Sequence, residues 1–312
     1  MEMHQIRYFL AVSRLLNFTR AAEECNVSQS ALTRAIKALE DELGVPIFVR
    51  RGKRFVGLTE SGTALLPVIE RILGEVENLR RVAKDYAGGD TGSITIATTH
   101  TQARYALPKV VSEFKRRYPQ VHLGMLQGNP SQVAEFVLHG EADLGIATEA
   151  LDSHPGLIAL PGYTWHHIVV VREDHPLAAL AGLALEQLAA YPLITYEPAF
   201  TGRTHIDAAF AARGLAPDIV IAAIDSDVIK TYVELGMGVG IIASMAYDRE
   251  RDRGLAMIDA GHLFKPNTTR IAIRRDVYLR GFVYEFIARF APHLTRKVID
   301  QALAGGHENY EL

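Results

Sequence analysis

Cysteine is almost missing from this chain: Cys25 is the single one in 312 residues, so no internal disulfide can form. It falls among the small residues of a short helix, where a packing role is expected rather than a redox one. No run approaches the roughly 20 apolar residues needed to span a bilayer. Nor does the chain open on a charged stretch followed by an apolar one, the pattern that directs export. A cytoplasmic protein with no membrane partner is therefore expected. Nucleophile elbow, paired-cation phosphate loop and zinc motif are all lacking, which argues against an enzyme and against a bound cofactor. Gly236-Met237-Gly238-Val239-Gly240 has a helix before it and a strand after it, the reverse of a dinucleotide-binding turn. His166-His167 lacks acidic or cysteine neighbours at ligand spacing and reads as structural rather than as a metal site.

What is present is globular: 48% hydrophobic and 22% charged residues, with length for two or three domains. Charge divides unevenly along it. Residues 1 to 88 hold 13 Lys or Arg against 11 Asp or Glu, a balance of +2, which leaves the remainder at −5. The positive part is the part suited to nucleic acid.

Within it, Thr19-Arg20-Ala21-Ala22 begins a short helix, Asn26-Val27-Ser28 breaks it, and Ser28 is a good N-cap for a second helix from Gln29 to about Leu43, ended by Gly44. Leu32, Ile36, Leu39 and Leu43 recur at helical spacing and should form a buried stripe. Gln29, Ser30, Thr33, Arg34 and Lys37 lie elsewhere on that helix, where short polar groups can reach base edges and cations can meet phosphates. An ordinary amphipathic helix with a solvated side has the same pattern. The discriminating feature is Arg50-Arg51-Gly52-Lys53-Arg54, four cations around a turn glycine between two β-rich runs, which reads as a winged hairpin able to lie along phosphates or enter a narrow minor groove. Arg50, Arg51, Lys53 and Arg54 join the candidate contacts to double-stranded DNA.

Residues 1 to 62 resemble the winged N-terminal domain of LysR-type transcriptional regulators. The resemblance rests on Leu39-Glu40-Asp41-Glu42-Leu43-Gly44, Ile47-Phe48, Arg50 and Leu58-Thr59-Glu60-Ser61-Gly62, and it implies that Gln29 to Leu43 is the reading helix and Arg50 to Arg54 the wing. Thr59 then caps a further helix in which Leu65, Ile69, Ile72, Val76, Leu79 and Ala83 alternate in steps of four and three, a short coiled-coil seam. Such a seam suits a homodimer, or packing against its own chain. Pro67 inside it should kink the helix, and Ala87 to Gly92 is a flexible break.

Beyond the break, short β-rich runs alternate with amphipathic segments, an α/β pattern. Strands are expected at 93–98, 121–127, 144–147, 168–171, 193–196, 219–223, 240–243 and 270–273, and helices at 104–118 and 133–139. Family resemblance implies two lobes like those of a type 2 periplasmic binding protein, joined by crossovers near Tyr163 to Val171 and Phe264 to Ile273. The domain reading is 1–62 winged helix-turn-helix, 63–88 linker and dimerisation helix, and 93–312 effector domain. Its lobe I spans about 93–163 with 269–302, and its lobe II about 164–268.

Three corners in that domain are rich in hydroxyls: Thr98-Thr99-His100-Thr101-Gln102, Thr148-Glu149 and Phe200-Thr201-Gly202-Arg203. Each follows a strand and opens a helix, where free amides and the helix dipole suit a small anion. Taken singly, each is also an ordinary helix cap. Together with Gly145 to Glu149 and Asp227 to Val233 they closely resemble the CysB-like, sulfur-metabolism branch of the LysR family, from about Glu40 to Ala302. That resemblance implies a regulator of sulfur assimilation or cysteine biosynthesis genes, with sulfate, thiosulfate or an acylserine-like effector bound by Thr99, Thr101, Gln102, Thr148 and Thr201. It also implies a homotetramer of two dimers, with RNA polymerase a candidate partner. His100 is expected to be a structural neighbour, and Arg203 to supply positive potential or brace its corner. Residues 1 to 38 follow the general LysR pattern more than this branch. Other readings are a LysR regulator sensing a different small anion, a solute-binding protein or an enzyme.

Overall fold

The computed structural model describes residues 1–51, 54–86, 90–180 and 182–305. The chain divides into two compact units, Met1–Lys84 and Asp85–Leu312.

The first unit opens with α1 (Met3–Leu15) and α2 (Phe18–Glu24). Asn17 sets the start of α2 by accepting the amides of Thr19 and Arg20 at 3.0 and 3.1 Å. Helix α3 (Gln29–Leu43) begins where Ser28 Oγ accepts the Ala31 amide at 3.2 Å, and it stops at Gly44, whose φ of +70° is left-handed. Strands β1 (Phe48–Arg51) and β2 (Arg54–Leu58) pair as an antiparallel hairpin. Glu40 ties α3 to that hairpin by accepting the Ile47 amide at 2.9 Å.

Leu32, Ile36 and Leu39 are fully buried against Phe9, Phe18 and Phe48. Leu43 departs from the expected stripe, being 37% exposed. It points along the same face but occupies the last helical position before the cap, and periodicity reports direction, not how far the packed neighbours reach. Cys25 is a free, half-buried thiol packed against this core.

Helix α4 (Glu60–Tyr86) starts at Thr59, whose hydroxyl accepts the Gly62 amide at 2.9 Å. Gly62 is required by close approach: a Cβ there would lie 2.2 Å from the Ile47 carbonyl oxygen. The helix runs on past Pro67. Its first seam positions, Leu65, Ile69 and Ile72, pack against the unit's own core, whereas Leu79 is 71% exposed. The near end of the seam thus packs within its own chain, the second of the two readings its spacing allows.

The second unit contains two five-stranded sheets. In the first, β3 (Gly92–Thr98) pairs in parallel with β4 (Val121–Gln127) and β5 (Leu144–Ala147), while β6 (Leu157–Trp165) lies at the far edge. A single π-turn at Gln102–Ala106 leads into α5 (Leu107–Arg117), and α6 (Pro130–Leu138) follows β4. In the second sheet, β8 (Leu193–Tyr196) is parallel to β9 (Ile219–Ala223) and to β10 (Val239–Ala243). Strand β7 (His167–Arg172) runs antiparallel to β10 and to β11 (Leu255–Asp259). Helices α7 (Leu185–Leu188), α8 (Thr201–Ala212) and α9 (Ser226–Glu234) belong to this sheet's half. The chain then returns to the first sheet as β12 (Asn267–Arg274), antiparallel between β5 and β6, and ends in α10 (Gly281–Phe290) and α11 (Arg296–Leu303).

The chain crosses between sheets at His166 and again between Asp259 and Asn267. Strand β6, which contains Pro161-Gly162, is not among the expected strands. In the structure the pairing with β12 slips at this point, so Gly162 is the extra residue of a bulge that tolerates the neighbouring proline.

Candidate functional site

The parallel strands of both sheets direct their carboxyl ends to one cleft, the place where open α/β sheets hold ligands. Its lining is Thr99, Thr101 and Gln102 beyond β3, Pro130 at the start of α6, Thr148 after β5, Trp165 ending β6, Tyr196 ending β8, and Phe200, Thr201 and Gly202 at the start of α8. The structure brings all five of the sequence-derived effector residues into this one cavity. The space between these residues, open mouth included, is about 370 Å³.

Each corner is fixed by local chemistry. Thr98 Oγ donates to the Ile146 carbonyl at 2.8 Å and so locks the end of β3 to β5. Gln102, 2% exposed, donates from Nε2 to Thr269 Oγ at 3.1 Å and accepts the Tyr163 hydroxyl at 2.5 Å. An amide nitrogen carries two protons, so this clamp leaves a second N–H for a ligand in the cleft. From the two sheet halves, Thr148 Oγ donates to Thr201 Oγ at 2.6 Å. Tyr196 accepts the Ala243 amide at 2.9 Å, shares a hydrogen bond with Ser226 at 2.7 Å, and is also hydrogen-bonded by the Thr101 side chain. Burial pushes its phenol up, so it stays a neutral hydroxyl. Trp165 Nε1 is buried without a hydrogen-bond partner.

All lining side chains are formally neutral. Hydroxyl, amide and indole N–H groups in a partly desolvated cleft can bind an oxyanion by hydrogen bonds alone, supplemented by the free amides at the first turn of α8. Arg203 braces rather than lines: its guanidinium donates to the Tyr196 carbonyl at 2.9 Å and to Asp207 at 2.7 Å. His100 is not among the lining residues, and a ring nitrogen of it lies within 4.8 Å of the carboxylates of Asp225 and Asp227. Although burial pushes the Asp227 carboxyl up, the Tyr105 hydroxyl at 2.6 Å, Lys230 and Arg104 together hold it below its usual range. The lining residues outside the three sequence-derived corners are Pro130, Trp165 and Tyr196, while Phe200 and Gly202 flank Thr201 in one of those corners. Tyr196 offered a signal, since it ends a strand directly before one of the three hydroxyl corners.

In the first unit, Gln29, Ser30, Arg34 and Lys37 are exposed on α3, and neither cation has an ion-pair partner among the described residues. Thr33 is half-buried, its hydroxyl donating to the Gln29 carbonyl at 2.8 Å. Arg50, Arg51 and Arg54 belong to the hairpin strands. Lys53, together with those three side chains, lies outside the described residues.

A helix-turn-helix carrying a hairpin, followed in the chain by a two-sheet unit with a cleft at its strand ends, is the architecture of a DNA-binding regulator with an effector domain. Residues 3–63 match the model of the bacterial regulatory helix-turn-helix proteins of the lysR family, and residues 87–295 match the LysR substrate binding domain. The chain belongs to the LysR family of transcriptional regulators. Within it, the chain is similar to the sulfur-branch regulators. It is 56% identical to the HTH-type transcriptional regulator CysB of Burkholderia cenocepacia over 100% of both chains. It is 54% identical to SsuR of the same organism, over 96% of this chain and 97% of that one. The solved cofactor-binding domain of the Cbl transcriptional regulator superposes with a TM-score of 0.66 at 44% identity, covering 68% of this chain and 93% of that domain. The similarity to CysB runs the full length, so the departure noted over residues 1 to 38 does not interrupt it. Among the described residues no helix is long and apolar enough to cross a membrane.

Proposed function

We propose that this protein controls genes of sulfur assimilation and cysteine biosynthesis from the cytoplasm, by sensing a small sulfur-status effector in the cleft of its second unit. Sulfate, thiosulfate or an acylated serine is the effector class. Thr99, Thr101, Gln102, Thr148 and Thr201 are its donors. The observation that carries the reading is the convergence of those five side chains on one cavity of about 370 Å³ with no charged lining. A neutral pocket can hold a fully ionised oxyanion without neutralising it, because each oxygen can accept several hydrogen bonds.

Promoter DNA is read by Gln29, Ser30, Thr33, Arg34 and Lys37, with Arg50, Arg51, Lys53 and Arg54 on the phosphates or in the minor groove. Functionally, residues 1–62 read DNA, 63–88 join two subunits, and 93–312 sense the effector through lobes at about 93–163 with 269–302 and at 164–268. Two such dimers form a tetramer that can contact RNA polymerase. Linkage then makes effector occupancy and DNA geometry reciprocal.

Isothermal titration of the full-length protein with sulfate, thiosulfate and N-acetylserine tests the effector class. Saturable binding of at least one, weakened by Thr201→Ala, is the expected result. Heat at none of the three, with DNA binding intact, would overturn the sulfur reading and leave a regulator for another small anion.

A further inference from the structure

Behind the cleft wall sits an imidazole that the effector reading does not use. His167, the first residue of β7, is fully buried, and neither ring nitrogen has a hydrogen-bond partner. Its ring lies edge-on to Trp165 at 5.2 Å and to Phe264 at 5.5 Å. Both rings meet the first turn of α8: a Cβ added at Gly202 would fall 2.9 Å from His167 Nε2 and 3.5 Å from Trp165 Cη2. The ring therefore touches the end of a first-sheet strand and the start of a second-sheet helix, and both Trp165 and Gly202 line the cleft.

Packing alone does not account for an imidazole here. Two unpaired nitrogens in a closed site cost stability that an aliphatic side chain would not. Burial first, and the neighbouring His205 and His166 next, push the ring's pKa down to about 3, so it fills the space as a neutral body and adds no charge behind the anion donors.

We propose that His167 is a positioning residue of the effector cleft. Its ring holds the Trp165 indole edge-on where both rings meet the first turn of α8, so that the indole N–H and Thr201 can engage one ligand. The proposal rests on the reading of this cleft as the effector site, and it explains why position 202 is a glycine with an ordinary backbone. There the small residue serves the neighbour rather than the turn.

A size-exchange cycle in the full-length protein tests it. Trp165 is the only tryptophan in the chain, so its emission reports the wall directly. Gly202→Ala and His167→Ala should each shift Trp165 emission in ligand-free protein and weaken binding of sulfate, thiosulfate or N-acetylserine about tenfold. The double variant, in which the new methyl occupies space vacated by the ring, should return emission toward wild type and regain at least about threefold over Gly202→Ala. His167→Val, which keeps bulk at Cβ but has no atom where Nε2 lies, replaces His167→Ala in the cycle if the alanine variant unfolds. Additive losses in the double variant, or unchanged emission in both single variants, would overturn the proposal. If none of the three ligands binds wild type, the sulfur reading fails, while the emission cycle still decides whether the wedge exists.

Discussion

The exposed face of α3 and the cleft between the two sheets solve recognition in opposite ways. On α3 the candidate contacts are neighbours in sequence, mostly exposed, and include the cations Arg34 and Lys37; around the cleft they are neutral, largely buried, and gathered from strand ends more than 100 residues apart, Thr99 and Thr201 among them. Exposed charges act at range but are screened over about 8 Å at physiological salt. Desolvated hydroxyls act at contact and ignore salt, because an unmade hydrogen bond in a closed site costs its full desolvation. On the proposed function, one half of the molecule would read an extended polyanion and the other would discriminate the shape of a small one.

The largest way to break this contrast is to strip the cations from α3. Arg34→Ala with Lys37→Ala should weaken promoter binding on the order of 10- to 100-fold, and flatten the dependence of log K on log salt by about 0.9 for each phosphate that is no longer neutralised. Anisotropy titrations across a salt series read both quantities. Effector affinity should stay the same, and a parallel change there would erase the division of labour.

Acid sharpens the contrast from the other side. His167 is held neutral in the fold at a pKa of about 3, against about 6.5 when unfolded. Between those values the unfolded chain binds a proton that the native state refuses, so stability falls as pH drops below about 6.5, by up to about 1.4 kcal/mol per pH unit from this group. Urea unfolding of wild type and His167→Gln between pH 5 and 7.5 should show the steeper acid loss in wild type. Equal slopes would mean the ring is solvated.

Next come the hydroxyls. Thr99→Ala and Thr201→Ala should each remove about 0.5–1.5 kcal/mol of effector affinity, or more if a charged oxygen is left short of donors. Calorimetry at 50 and 300 mM salt should find that loss unchanged, with effector-free DNA binding intact. The smallest effect belongs to Arg203→Gln. Its guanidinium is already engaged by Asp207 and the Tyr196 carbonyl, so effector affinity should move by no more than about threefold. A tenfold drop would make Arg203 an electrostatic anchor after all.

Legibility in the sequence followed the same division. Helix α3 could be read to the residue because its limits are local: Ser28 at one end, Gly44 at the other, and a 3.6-residue rhythm between. Strands β4, β8 and β9 fell where their apolar runs put them. What failed depended on partners. Leu43 carries the right rhythm without cover, β6 lies outside the expected strands and finds its ladder only on β12, and spacing alone left open whether Leu65, Ile69 and Ile72 meet a second subunit or their own core. In the cleft, the five polar residues came through family resemblance. Trp165 and Gly202 become wall residues only when β6 and α8 meet, which no local spacing announces.

The order of strands in the first sheet carries a consequence for biosynthesis. Strand β12 lies between β5 and β6, yet it is made about a hundred residues after β6 leaves the ribosome. Until residue 274 has emerged, β6 has no neighbour on which to complete its ladder. The intervening segment, with all its own strands already synthesised, can fold first as an autonomous insert. The half of the molecule that begins earlier is therefore the half that finishes later, and for that interval its unpaired edge is the part of the nascent protein most exposed to mispairing.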